Sequence, residues 1–455
     1  MEMVLEFLRD VLSQPALLIG IMSCIGLIAL KRPFHKVMTG TLKPILGYLM
    51  LAAGAGVIVN NLDPLGKMIE HGIHITGVVP NNEAIVAVAQ KVLGVETMSI
   101  LVVGLLMNLC IARFTKFKYV FLTGHHSLFM ACLMSAVLGT AGLSGMELIL
   151  VGGFLMGAWS AISPAIGQSY TSKVTDGDEI AIGHFGSLGY YLSAWVAQYV
   201  GKAEDSTEDI EIPEKWGFLR DSTLSTALTM IVFYLIAAIA AGSEFVSTLS
   251  GDMSPYLYAV MSAMNFAVGV TIVYSGVRMI LGDLIPAFQG IATKIIPNAI
   301  PAVDCAVFFT YAPTAVVLGF ISSFIGGIIG MLILGAVGGV LIIPGLVPHF
   351  FCGATAGIYG NATGGRRGAA VGAFLNGLAI TFLPALALPV LGQLGFQNTT
   401  FGDADFAVMG LVLGHAFEWI GMAGIYGIVA IAALVLIIPN FIKTKGKVIN
   451  YVEEE

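Results

Sequence analysis

Apolar residues run along this chain in long, nearly unbroken stretches, with only short polar interruptions between them. A helix needs about 20 apolar residues to cross the hydrocarbon of a bilayer. Stretches of that order recur at 14–30, 41–60, 84–112, 120–138, 146–166, 223–242, 256–277, 312–334, 340–359, 368–391 and 407–438. The pattern predicts an all-α polytopic membrane protein of about eleven transmembrane helices. The first stretch reads as a span and not as a cleaved leader. Arg9 and Asp10 precede it, Lys31 and Arg32 close it, and no small-residue cleavage site follows.

Composition turns the pattern into a class. The 455 residues are 57% hydrophobic and 11% charged, with a mean hydropathy of +0.90. A soluble domain carries roughly 25% charged residues to cover its surface, so lipid must be the solvent for most of this one. A net charge of -7 leaves no basic stripe for a nucleic acid. The five cysteines sit in apolar runs without CxxC spacing and read as small core residues, with no disulfide framework and no metal site. No P-loop, dinucleotide fingerprint, HExxH or nucleophile elbow is present, so the chain has no visible apparatus for breaking a bond unaided and implies no cofactor.

Lysine and arginine gather in alternate loops, at Lys31 to Lys43, Arg113 to Lys118, Lys173 to Arg220, Arg278 to Lys294, Arg366–Arg367 and Lys443 to Lys447. By the positive-inside rule those loops face the cytoplasm. The loops 244–255 and 393–405 hold neither residue and face outward, as does the N-terminus, while the C-terminus lies inside. The strongly polar stretch from Lys202 to Arg220 reads as a solvated hinge. It divides the chain into a first half (1–205, five spans and a re-entrant segment), a cytoplasmic linker (206–221), a second half (222–443, six spans) and a tail (444–455).

The halves echo each other at a shift of about 220 residues. Gly56 and Asp63 fall on Gly276 and Asp283, Pro80…Glu83 on Pro301…Asp304, Leu122…His125 on Leu346…His349, and Gly183–His184 on Gly414–His415. Five spans are an odd number, so such a repeat is inverted, the arrangement of many transporters with midplane sites.

Ionisable residues inside apolar spans are functional hypotheses by default. Asp304 lies among Pro297, Pro301 and Pro313, which interrupt a helix and free backbone groups; it is a substrate or proton site, or else the cap of a broken helix. His125 and His126 open a span directly after a glycine, His125 facing a polar cavity and His126 snorkelling to the interface. His184 follows a segment too polar to cross and sits at the tip of a re-entrant hairpin, as a ligand or as a packing residue. The small cluster Ala52–Gly56, including Gly54 and Ala55, serves close helix packing or backbone approach to a polyhydroxylated ligand. Pro80–Asn81–Asn82 offers amides at a helix start, as caps or as ligands. Asn361, Gly364 and Gly365 beside Arg366 read as a flexible turn, and His415 and Glu418 stand one turn apart, able to pair.

The TGH at 123–125, the stretch around Trp216, the VTDG…IGH ending at His184 and the VDCA…YAP at 303–313 resemble the ascorbate-specific membrane component (IIC) of the bacterial phosphoenolpyruvate-dependent phosphotransferase system. The resemblance implies a homodimer in the inner membrane, with a sugar-holding core that moves as an elevator and a V-shaped domain that makes the dimer contact. It implies phosphorylation of the sugar by a separate IIB protein charged by IIA, with no phosphoryl group on this chain. It places Gly54, with Ala55, at a backbone sugar contact, and His125, His184 and Asp304 on polar ligands, with Asn81, Asn82 and Phe185 beside them. Glutamines of the ascorbate pattern are missing: Phe185–Gly186, Leu128–Met130 and Ala52 stand in their places, which widens the expected cargo to a sugar acid or polyol. The rival reading is a proton-coupled secondary transporter in which Asp304 and the histidines relay protons.

Overall fold

The computed structural model describes residues 11, 14–73, 77–78, 80, 82–177, 179–210, 222–392 and 400–441. The chain is mostly helical, and the helices fall into two groups. The first contains α1 (Pro15–Ala29), α2 (Phe34–Ile73), α7 (Ser222–Ala241), α8 (Ser243–Ser250) and α9 (Pro255–Lys294). The second contains α3 (Asn82–Phe114), α4 (Gly124–Thr140), α5 (Gly145–Thr175), α6 (Ser187–Val200), α10 (Pro313–Ala336), α11 (Leu346–Gly392), α12 (Ala404–Ile420) and α13 (Met422–Phe441). Each group draws helices from both halves of the sequence.

Glycine lets helices approach closely where lipid supplies no hydrophobic drive between them. A Cβ on Gly54 would come within 2.7 Å of the Gly269 carbonyl of α9, and one on Gly357 of α11 within 2.6 Å of the Ala315 carbonyl of α10. Gly54 is buried in the α2–α9 seam, so packing accounts for it fully.

Seven helices are long and apolar enough to cross a membrane among the described residues, or up to eight if the bent pair α7–α8 is one span. The count falls below eleven because α1 has 15 residues and α4 has 17, and because the two helices of α11 meet without a loop between them. The expected spans 340–359 and 368–391 are the two helices of α11, which meet at a non-helical break at Gly364 and Gly365 where Gly360 packs on Gly368, and the expected span 407–438 is split at Gly421 into α12 and α13. The stretch 120–138 begins as a strand and continues as α4, only 17 residues long and almost wholly buried.

Two further expectations change. The break in α11 is a packed joint and not a flexible turn: Gly364 lies against Ala197, Gly365 takes φ +60 beside the carbonyls of Lys202 and Asp205, and Arg366 N donates to Asp205 O at 2.8 Å. Residues 201–210 are likewise docked and not a free hinge. Thr207 N donates to Asn361 Oδ1 at 2.8 Å, and Glu208 caps α10, accepting from Thr314 N at 3.0 Å, Ala315 N at 3.1 Å and Thr314 Oγ1 at 2.9 Å. The remainder of the linker, 211–221, lies outside the described residues, as do the tail from 442 and the loop 393–399. Glu208→Ala is expected to cost about 1 kcal/mol of local stability at this helix start. Hydrogen exchange at Thr314 and Ala315 should then quicken roughly fivefold, with exchange elsewhere unchanged.

Three short strands form a parallel sheet in the order β1 (Tyr119–Phe121), β3 (Ile300–Val303), β2 (Ala181–Ile182). Tyr119 pairs with Ile300, and Ile182 with Val303. Gly183 makes the β2–β3 approach possible, since a Cβ there would sit 2.4 Å from the Ala302 carbonyl. Parallel strands point their carboxyl ends the same way, and loops leaving those ends converge. A separate parallel bridge joins Val78 to Ile342, through Val78 N to Leu341 O and Ile343 N to Val78 O, both 2.9 Å.

Candidate substrate-binding site

The sheet delivers three chain turns to one place. β1 leads through Thr123 and Gly124 to His125 and His126, β2 leads to His184 and Phe185, and β3 ends at Asp304, which starts a 3-10 helix at Cys305–Thr310. Asp304 is buried and does two things at once. Its Oδ1 accepts from Ala306 N at 3.2 Å, capping the 3-10 helix, and its Oδ2 lies 3.4 Å from His125 Nε2. The capping role and the charged contact use different oxygens, so one does not displace the other.

His125 reaches across to Tyr48 of α2, whose Oη lies 3.4 Å from Nδ1. The cluster therefore sits on the seam between the two helix groups, where β3 and the 3-10 helix also meet α9. Its side chain, 37% exposed, is the open edge of the cluster. His126 is a correction to the interfacial expectation: it is 3% exposed, its ring centroid is 3.8 Å from that of His184, and Phe406 stacks on it. A snorkelling histidine needs a free path to water, and this one is sealed by aromatic rings.

Backbone donors set the state of two imidazoles. Phe185 N donates to His126 Nδ1 at 3.3 Å, and Gly186 N donates to His184 Nδ1 at 3.1 Å, where Tyr190 Oη also approaches to 2.8 Å. A nitrogen that accepts carries no proton, so both rings are neutral and present Nε2–H. Phe185 is buried, stacks on Phe121 at 4.7 Å and passes its carbonyl to Asp405 N. It is a packed floor beneath the histidines. Asp405 in turn accepts from Leu188 N at 3.0 Å, Ser187 Oγ at 2.8 Å and Trp159 Nε1 at 3.2 Å, fixing the start of α6 behind His184.

The Val78–Ile342 bridge brings a second wall. Asn82, at the start of α3, receives Gly402 N on its Oδ1 at 2.9 Å and donates through Nδ2 to Asp403 Oδ2. The Cys352 thiol donates to Asp403 Oδ1 at 2.7 Å. His184 links the walls: its ligand atom lies within 4.8 Å of those of Asp304 and Cys305 on one side and of Cys352 and Asp403 on the other. These two triads have the donor types of a metal site, with Asp403 and His184 Nδ1 engaged in hydrogen bonds within the network.

Of the residues singled out in the sequence, Asn82, His125, His184 and Asp304 come together, with Phe185 packed beneath. Gly54 is turned into the α2–α9 seam; Asn81 and the side chain of Ala55 lie outside the described residues. His415 does not join the cluster. It pairs with Glu418 at 2.9 Å and stacks on Trp419. Sequence reasoning missed Asp403, Cys352, Cys305, Tyr48 and Tyr190. A polar hollow of about 260 Å3, lined by Lys173, Ser206, Glu208, Tyr311 and Asn361, stands apart at the far end of the 3-10 helix. Six residues at about 2 Å rise put it roughly 12 Å from Asp304.

Apolar crossing helices around a buried polar cluster on a seam define a multi-pass membrane protein of the permease class. Residues 10–405 match the EIIC-GAT family, the sugar-specific permease component of the phosphotransferase system, and the chain belongs to that family. The chain is similar to the ascorbate-specific EIIC component of the phosphotransferase system of Mycoplasma pneumoniae, 26% identical over 417 residues. That match takes in 78% of this chain and 62% of the relative, so the chain spans about 62% of its relative's length.

Proposed function

We propose that the chain imports L-ascorbate or a related sugar acid or polyol through the inner membrane, N-terminus outside and C-terminus inside. In this reading a separate IIB protein, recharged by IIA, phosphorylates the cargo on arrival. The added phosphate brings roughly 1.5 to 2 negative charges, which makes return across the bilayer unfavourable without an ion gradient. The observation that carries the reading is the convergence of His125, His184 and Asp304, from both halves of the chain, on one buried polar cluster in a member of this permease family.

An inverted repeat of eleven spans with re-entrant segments is part of the proposal, and strand exchange supports it. The first-half strand β1 pairs with β3 of the second half, and Ile342 of the second half pairs back to Val78 of the first. The reading takes α3–α6 and α10–α13 as a core that moves as an elevator against a V-shaped dimerisation domain of α1, α2 and α7–α9, and the division of the helices into these two groups supports it. The homodimer rests on the resemblance. The test is uptake in cells whose proton gradient has been collapsed: labelled cargo is expected to accumulate as its phosphate and to stop when the IIB gene is deleted. Uptake of unmodified cargo that dies with the gradient would instead establish a proton-coupled transporter.

A further inference from the structure

We infer that Asp403, held by Asn82 and Cys352, makes this site select an uncharged polyhydroxylated cargo over a sugar acid. The inference rests on the permease reading above and narrows it. The argument is a charge inventory of the cluster. Asp304 has one basic neighbour, His125, at 3.4 Å. Asp403 has no basic group bonded to it: its two oxygens accept from the Asn82 amide and the Cys352 thiol, both neutral donors, and His184, within 4.8 Å, accepts a backbone N–H on its Nδ1. His126 and His184 are held neutral by the backbone N–H groups that donate to their Nδ1 atoms. Asp405, the third acid nearby, spends its oxygens on Leu188, Ser187 and Trp159. Among the described residues no lysine or arginine forms an ion pair with Asp304 or Asp403. Against the two carboxyl groups Asp304 and Asp403 the cluster sets a single imidazole that no backbone donor holds neutral, His125.

A bound carboxylate or enolate would then face like charge in a place with little water to screen it. At a separation of about 6 Å and an effective dielectric near 20, one such repulsion is worth on the order of 100-fold in affinity. Hydroxyl groups meet no such penalty. They donate to carboxylates, and they accept from Nε2–H and from Asn82. The site thus offers an uncharged polyol strong acceptors and adequate donors, while it offers an anion no fixed cation.

Equilibrium binding to the purified full-length chain in lipid nanodiscs tests this, with labelled sorbitol as the neutral probe and labelled L-ascorbate as the anionic one. The wild type is expected to bind the hexitol at least tenfold more tightly. Asp403→Asn should shift the ratio toward ascorbate by roughly 10- to 100-fold. Cys352→Ser exchanges one neutral donor to Asp403 for another, so any loss it causes should fall on both probes alike, which separates the charge effect from disturbed packing. Tighter binding of ascorbate by the wild type, absence of hexitol binding, or a ratio unmoved by Asp403→Asn overturns the inference. Uptake in cells containing the phosphotransfer proteins distinguishes the two levels: ascorbate accumulating as its phosphate removes the inference and leaves the permease reading standing.

Discussion

Uptake is expected to fall roughly 10- to 100-fold when Asp304 is replaced by asparagine, with the protein still inserted at wild-type level. The magnitude is that of one hydrogen bond to a charged group, about 1.5–3 kcal/mol. Asparagine is as good an N-cap as aspartate. It can therefore keep the bond from Ala306 N to Oδ1 that starts the 3-10 helix, while removing the charge that Oδ2 presents to His125. The variant isolates the polar contact from the fold. His184→Ala goes further, since it leaves Gly186 N and Tyr190 Oη without their acceptor and opens a gap against His126. Its uptake should be lower still, and its thermal stability should fall as well, which the Asp304 variant should avoid. The assay is initial-rate uptake normalised to membrane-inserted protein. Wild-type rates in both variants would remove this cluster as the substrate site.

How much of that cluster was legible beforehand follows from where its residues sit. Asp304, His125 and His184 are ionisable groups in apolar surroundings, and cost alone marks them. Asp403 is as deeply placed, yet it belongs to the short run Thr400 to Ala407, which follows the polar stretch 393–399 and looks like an outward loop. The offset of about 220 residues between the sequence echoes carries the missing signal. Position 403 lies 219 residues after 184, within the same offset as the other echoes, and each residue stands just before a helix, α6 or α12. The histidine-to-histidine match to 415 drew attention away from that register. Cys305 and Cys352 gave no signal, because a thiol in an apolar run has the pattern of any small core residue. Tyr48 likewise becomes a neighbour of His125 only when α2 is laid along the seam.

The fold divides in the same manner. Hydropathy finds apolar mass, so the long helices α2, α5, α9 and α10 were readable; it cannot find a break that costs no polarity. Gly421 interrupts a helix through φ/ψ angles open to glycine while its neighbours Ile420 and Met422 stay apolar, whereas the break at Gly364–Gly365 is marked by Arg366 and Arg367. Strands of two to four residues are shorter than any usable period. These hidden features position the site, because the sheet and the broken helices supply the turns that carry its side chains.

Asp405 gives the sharpest test of that positioning. It is fully buried, and three donors from two other helices end on its carboxylate: Leu188 N and Ser187 Oγ at the start of α6, and Trp159 Nε1 of α5. Its own amide donates to the Phe185 carbonyl, one residue from His184. Asp405→Ala would strand all three donors where water does not reach, and each buried orphan costs about 1–3 kcal/mol. Relaxation recovers part of that sum, so a net loss of roughly 3–5 kcal/mol is expected, the range found when one partner of a buried charged contact is removed. The apparent melting temperature of the detergent-solubilised protein should drop by roughly 10 °C. Asp405→Asn retains one acceptor oxygen and should fall between the two. The loss should also reach the site, because the turn at His184 to Gly186 is held from behind by these bonds, so cargo binding should weaken even at temperatures where the variant remains folded. An Asp405→Ala protein that melts within about 2 °C of wild type would mean that α6 is anchored by its packing against α11 and not by this carboxylate.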